Sequence, residues 1–156
     1  MFYVLHLSRW LTKISQCNHL TSALPGGVSR GPPVNLWSKF QTEVTPKCTV
    51  EPTNAVEVAE VLTVAKTYQC HFAVLAGGTS PFRYASNADG GITINMKRMR
   101  RVVLDEDPLQ VKVGAGALWE DVYRELDPRN MSAAGTRNGR NGVTGSILGG
   151  TSPNNV

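Results

Sequence analysis

The sequence predicts an α+β fold, and three observations carry that expectation. A strand, a helix and a second strand follow one another between residues 48 and 76. A hairpin pattern comes next at 101–113, and after it a second helix with four-residue apolar spacing. With 156 residues, 41% of them apolar and 18% charged, the chain is globular in composition, long enough for one domain with a real core and small for a two-domain enzyme.

Residues 1–20 carry an amphipathic helix pattern, with Leu7, Trp10, Leu11 and Ile14 on one face. His6, Arg9 and Lys13 interrupt the opening "MFYVLHLSRWLTKISQC". Its apolar run is too short for a membrane span, and its charge order is wrong for a good secretory signal. No membrane partner is expected, and cytoplasmic and secreted locations both stay open. "LPGGVSRGPP" (24–33) is turn-rich and reads as a linker, so a folded region is expected from near Trp37.

"CTVEP" (48–52) is a short strand stopped by Pro52. Asn54 with Glu57 three residues on has capping-box spacing, and Val58, Val61, Leu62, Ala65 and Tyr68 mark the buried face of the helix that follows. "HFAVLA" (71–76) reads as a buried strand that breaks into Gly77-Gly78. The two strands should be parallel, because a helix crosses between them. "GITINM" (91–96) alternates as a further strand. "RVVLDEDPLQVKV" is a hairpin turned by Asp107 and Pro108. Leu118, Val122 and Leu126 mark the second helix, which "DPRN" ends.

The net charge of +4 owes much to "KRMRR" (Lys97, Arg98, Arg100, Arg101). No aromatic residue interleaves that run, so it reads as a solvated strand end and nucleic acid is not an expected partner. Cys17, Cys48 and Cys70 lack the C-x-x-C spacing of a zinc site; they allow one bridge and a spare thiol in an oxidising compartment. No metal site is expected. His6 and His71 are lone histidines, and Tyr84 and Tyr123 read as packing residues.

Two segments bear on chemistry. Gly77-Gly78-Thr79-Ser80 lets main-chain N–H groups converge on an anion without a Cβ in the way, with two hydroxyls beside them. It has neither the GxxxxGK(S/T) pattern of a P-loop nor the GxGxxG spacing of a dinucleotide fold. "GTRNGRNGVTGSILGG" (135–150) holds six glycines in sixteen residues and reads as a flexible loop, costly to order unless a large ligand lies on it. Two such segments in one small domain suggest a long, phosphate-bearing cofactor; a repeated structural turn is the alternative.

The order "WSKFQTEVTPKCTVEPTNAVEVAEVLTVAK…FAVLAGGTSPF…NADGGITINMKRM…VKVGAGALWEDVYRELDP…AAGTRNGRNGVTGSILGG" resembles the first half of the FAD-binding domain of flavin-linked oxidases. These are of the p-cresol methylhydroxylase (vanillyl-alcohol oxidase) type, in the berberine-bridge-enzyme branch, and the likeness is to fungal secondary-metabolite oxidoreductases. The resemblance spans residues 37–150. It implies an N-terminal βαβ subdomain and the start of a second subdomain, gripping FAD between them. Gly77, Gly78, Thr79, Ser80 and Pro81 would cradle the pyrophosphate. Gly142, Val143, Thr144, Gly145, Ile147, Gly149 and Gly150 would run along the phosphate and ribitol. Gly114 and Gly116 would be structural, and a small-molecule substrate is the implied partner.

The departures from the family carry their own expectations. Thr79 stands where many members have the histidine that bonds covalently to the flavin, so any FAD held here is expected to be non-covalent. Leu75-Ala76 replaces a common Arg-Gly. After "LGG" the family continues with a further glycine, the stretch lining the isoalloxazine and a substrate domain with the catalytic base; here Thr151 follows and "NNV" is similar to a later "DNV". The expected organisation is therefore a helix and linker over 1–36 and a partial, C-terminally truncated FAD-binding domain over 37–156, with the substrate domain absent and no catalytic residue to name. The resemblance implies an FAD-linked oxidoreductase that oxidises a small molecule by hydride transfer to flavin; a non-catalytic remnant or a small nucleotide- or anion-binding module is the alternative. Since the matched segments supply only part of the family's flavin enclosure, the chain alone is expected to be marginally stable and to show no oxidase turnover.

Overall fold

A computed structural model of the chain describes residues 16–33, 36–107 and 109–150, with nothing taken from the Glu106 side chain. Leu7, Trp10, Leu11, Ile14, His6 and Pro108 lie outside the described residues.

Helical residues 16–23 (α1) bury Cys17 and Leu20, and Leu24 just after them. The chain then turns through Gly26 and pairs β1 (Val28–Ser29) antiparallel with β2 (Cys48–Val50). Glu51 N–H donates to Gly27 O at 2.7 Å and Thr49 Oγ1 to Gly31 O at 2.9 Å. The stretch expected as a linker thus lies along the sheet, and the fold includes α1 rather than starting near Trp37. Its glycines and prolines shape a turn whose backbone groups are used, which composition does not distinguish from a tether. A disulfide from Cys17 to Cys48 fastens α1 to β2, with Cα atoms 6.0 Å apart and 31 residues between them in sequence. Cys70, outside the bridge, sets its thiol against Gln16 Oε1.

A four-residue helix, α2 (Lys39–Thr42), precedes β2; α3 (Ala55–Thr67), β3 (Phe72–Leu75) and β4 (Ile92–Asn95) follow it. The sheet order is β1-β2-β4-β3, with β4 parallel to both of its neighbours. The strands flanking α3 are parallel as expected, but β4 inserts between them. Being central, β4 is buried at all four positions, with Ile92 and Ile94 in the core formed with α1 and α3. β3 becomes an edge strand: Phe72 and Val74 are 45% and 48% exposed. Its apolar run reads as buried in the sequence, but a strand at the sheet edge with an uncovered face is not.

Asn54 caps α3, its Oδ1 accepting Glu57 N–H at 3.0 Å. The Glu57 carboxylate accepts the Thr53 N–H at 2.7 Å and its Oγ1–H at 2.8 Å, and also accepts from Asn54 Nδ2 at 3.0 Å. The backbone N–H of Thr53, then its hydroxyl, hold the Glu57 carboxyl below its ordinary pKa. Val61, Val64 and Ala65 form the helix's buried face, while Leu62, expected there, is 39% exposed.

β5 (Val102–Glu106) and β6 (Leu109–Val113) pair as the expected antiparallel hairpin, with Asp107 in the turn. Helix α4 (Trp119–Leu126) packs on it, and a second core gathers Ala117, Trp119, Val122, Leu126 and Val143. Leu118 sits at the helix cap rather than on the buried face; its N–H donates to the Asp121 carboxylate at 2.8 Å. A 3₁₀ turn, Asp127–Arg129, and left-handed Asn130 end the helix as "DPRN" predicts. Cβ atoms at Gly114 and Gly116 would strike Met99 O and Met96 O, so both glycines are packing positions. Helix α5 (Val143–Gly149) closes the described chain.

The Cys17–Cys48 bridge closes a loop with 31 residues of separation between α1 and the sheet. Replacing both cysteines by serine is expected to lower unfolding free energy by about 3–4 kcal/mol through the unfolded chain's regained entropy. Urea melts of the two proteins, and of the wild type with and without reductant, check this; coincident curves would remove the bridge from the stability account.

Candidate functional site

Local pattern places the loop. β3 ends at Leu75, and no regular element intervenes between residues 76 and 91. Gly78 has φ +67°, a left-handed conformation a side chain disfavours. Three of the loop's carbonyls are taken from behind. Trp37 N–H donates to Gly78 O at 3.1 Å, Gln41 Nε2 to Ser80 O at 2.6 Å, and Ser38 Oγ to Pro81 O at 3.0 Å.

Gly77 crosses Gly142 backbone to backbone. A Cβ on Gly142 would lie 2.6 Å from Gly77 N, and one on Gly77 would strike Gly142 N and Cα. Two glycines from the two expected segments, 65 positions apart in sequence, thus meet where neither tolerates a side chain. The second segment is anchored as it arrives: Val143 N–H donates to Ala117 O at 3.0 Å, Trp119 N–H to Asn141 O at 3.0 Å, and Thr144 Oγ1 to Ala115 O at 2.8 Å.

Clefts open on both sides of the 76–79 strip. The smaller, about 370 Å³, is walled by Ala76 to Ser80, by Ala85 and Ser86, and by Asn141, Gly142, Gly145 and Ser146. The larger, about 660 Å³, runs past Leu36 and Trp37 to Asn95, Lys97, Arg100, Glu120, Asn138 and Arg140. The expected site residues therefore divide. Gly77, Gly78, Thr79, Ser80, Gly142 and Gly145 wall the smaller cleft, and the first three also wall the larger. Pro81 is turned back onto Ser38. Val143 is buried in the second core, and Thr144 bonds Ala115 O. Ile147, Gly149 and Gly150 lie along the outer part of α5, with Ile147 exposed.

The second glycine segment is not one flexible loop. From Val143 to Gly149 it is helix, with Gly142 as the N-cap residue and left-handed Gly150 as the stop. Two glycines within it, Gly145 and Gly149, lower intrinsic helix propensity. Burial of Val143 and the Gly77 crossing override that, and neither is visible in the local sequence.

"KRMRR" follows the end of β4 and is exposed, yet two of its charges are held. Lys97 pairs with Glu51 at 2.6 Å, and Arg100 grips Asp121 through Nε at 2.9 Å and a terminal nitrogen at 2.7 Å. That bidentate grip stiffens the wall of the larger cleft, a role composition does not reveal. Tyr123 is a packing residue as expected. It stacks on Trp119 with centroids 5.9 Å apart, and its hydroxyl donates to Thr136 O at 2.7 Å. Burial, then the Asp127 charge, push its pKa above 10.0, so it stays a donor at neutral pH. Tyr84 is not a packing residue: it is 56% exposed, with Arg83 5.5 Å above its ring. His71 Nε2 sits 2.5 Å from Asp89 O, tying β3 to the loop before β4. Among the described residues no group of three His, Cys, Asp or Glu side chains is placed to hold a metal.

Residues 46–156 match the family described as an FAD binding domain. A 115-residue stretch is 42% identical to the FAD-dependent monooxygenase tpcD of Cochliobolus heterostrophus, covering 74% of this chain and 22% of that protein. A 114-residue stretch is 40% identical to the FAD-dependent monooxygenase FUP4 of Fusarium proliferatum, covering 73% and 22%. The chain thus spans about a fifth of the length of these relatives. In fold it is similar to the wild-type BBE-like 1 protein of Physcomitrella patens. The TM-score is 0.70 at 18% identity, over 85% of this chain and 30% of that one, a likeness of fold alone.

The crossing yields a direct test. Gly77→Ala is expected to force the two backbones apart and lower stability by about 1–3 kcal/mol, the range for overpacking. Thermal melts of purified protein measure it; an unchanged melting temperature would mean that the two backbones are not in contact there.

Proposed function

Since the chain belongs to the FAD binding domain family, we propose that the strip 76–79 and the clefts beside it hold FAD without a covalent link, as the cofactor-binding part of an oxidoreductase acting on a small molecule. The Gly77–Gly142 crossing carries this reading. Bare backbone, left-handed Gly78 and the Thr79 and Ser80 hydroxyls line a cleft where a diphosphate meets main chain rather than side chains. Ser146 and Asn141 add polar groups from the opposite wall. On the larger cleft Lys97 and Arg100 are paired with Glu51 and Asp121, and Arg140 adds positive charge toward an anionic ligand.

A bound flavin supplies hydride acceptance, and the protein's part is to bind and orient it. The residues placed here do the binding. In this reading, residues 37–156 form part of an FAD-binding domain, and substrate selection and the acid–base chemistry belong to protein outside the segment compared. That fits relatives of which this chain matches about a fifth. FAD-dependent monooxygenation, the activity in the relatives' names, is the first chemistry to assay in the whole protein.

Thr79 has no imidazole or thiol to form a flavin bond, so acid precipitation of FAD-loaded protein is expected to release all of the yellow colour. Flavin fluorescence that stays with the band on a denaturing gel would overturn the non-covalent assignment.

Gly145 separates binding from stability. It faces the smaller cleft, and a Cβ there would meet nothing within 4 Å. Gly145→Ala is expected to stabilise α5 by about 0.5–1 kcal/mol while its methyl narrows the cleft and weakens FAD binding. A fluorescence titration showing undiminished affinity would move the phosphate site elsewhere.

A further inference from the structure

We propose that Gln41 is a positioning residue that holds the 78–86 loop in its ligand-ready shape; the identity of the ligand, FAD, rests on the reading above. Gln41 is fully buried, in a helix of only four residues. A buried primary amide is costly unless both of its ends are satisfied. Here the two ends are spent on the two ends of one loop. Nε2 donates to Ser80 O at 2.6 Å, and Oε1 accepts Ser86 N–H at 3.1 Å. Both Ser80 and Ser86 wall the smaller cleft, so one side chain sets the spacing between two of its walls.

The far end of this staple is itself fixed. Asn87, also fully buried, donates from Nδ2 to Gln41 O at 3.1 Å and Val44 O at 2.8 Å, and its Oδ1 accepts Thr93 Oγ1–H at 2.5 Å. Thr93 lies on central strand β4. The loop thus hangs from the sheet through Thr93, Asn87 and Gln41, whereas the bonds it makes within itself are long: Phe82 N–H to Ser80 Oγ at 3.3 Å and Ala85 N–H to Phe82 O at 3.4 Å.

The direction of these bonds matters as much as their number. Residues 37–41 take the carbonyls of Gly78, Ser80 and Pro81. In a trans peptide the C=O and the next N–H point in opposite directions. Fixing Gly78 O on Trp37 therefore aims Thr79 N–H away from residues 37–41, which form no wall of the smaller cleft. Drawing carbonyl oxygens back removes the groups that would repel an anion. A loop ordered beforehand spares the ligand that ordering cost.

The test uses the 156-residue chain with FAD as probe. Gln41→Met keeps approximate length and loses both hydrogen bonds. Val61→Ala, in the α3 core away from the loop, controls for lost stability. Amide exchange by mass spectrometry over residues 76–90 is expected to rise in Gln41→Met but not in Val61→Ala. The FAD dissociation constant is expected to rise roughly ten-fold in Gln41→Met and to stay within two-fold in Val61→Ala. Should Gln41→Met not fold, Ser38→Ala, which removes only the bond to Pro81 O, is expected to show the same exchange signature and a smaller rise. Exchange in the loop matching that of wild type, or unaltered affinity in the folded variant, overturns the proposal. If wild type itself binds no FAD, the cofactor reading fails, and the exchange comparison still decides whether Gln41 shapes the loop.

Discussion

The constraint on which the candidate site depends is the backbone contact of Gly77 with Gly142, and its other features are arranged around that contact. Two main chains approach until neither residue has room for a Cβ, so the first strip is pressed against the start of α5. That contact fixes which residues face one another across the smaller cleft, Thr79 and Ser80 on one side and Gly145 and Ser146 on the other. It also joins the two halves of the fold. One core lies between α1, α3 and the four-stranded sheet, and the other lies between the hairpin, α4 and Val143. Val143 is next to the crossing residue and donates its N–H to Ala117, so the residue that enters the second core adjoins the one that meets Gly77.

Each half then supplies a backing for its own wall. Behind the first strip stand Trp37, Ser38 and Gln41, which draw the loop carbonyls away from the cleft. Behind the second stand Ala115 and Ala117, whose carbonyls take Thr144 and Val143. The Arg100–Asp121 pair does similar work for the larger cleft, since Asp121 also accepts the Leu118 N–H at the start of α4. Val61, Val64 and Ala65 of α3 and Trp119, Val122 and Leu126 of α4 are buried in the chain's own cores. Uncovered apolar groups include Val56 and Leu62 on the outer side of α3, Phe72 and Val74 on edge strand β3, and Ile147 and Leu148 on α5, the last 83% exposed.

Local pattern alone determined much of this. Period-two alternation and flanking turn residues marked β4 and the hairpin. Helical spacing and the Asn54 cap marked α3, and four-residue spacing marked α4 to within one position. The ordered motifs carried the family and the α+β class, and the glycine pair after β3 marked one wall of the smaller cleft. These features are legible because each depends on residues a few positions apart.

Tertiary structure decided the rest, because it concerns residues that meet only after the chain folds. The place of β4 between β2 and β3, and with it the exposure of Phe72 and Val74, follows from strand order, which periodicity does not encode. "LPGGVSRGPP" became part of the sheet edge because β2 and the Cys17–Cys48 bridge hold it there. "GVTGSILGG" became a helix despite its glycines because burial of Val143 outweighs propensity. Gln41 and Asn87 carry no motif, and only contacts across about forty-five positions of sequence show the loop that they hold.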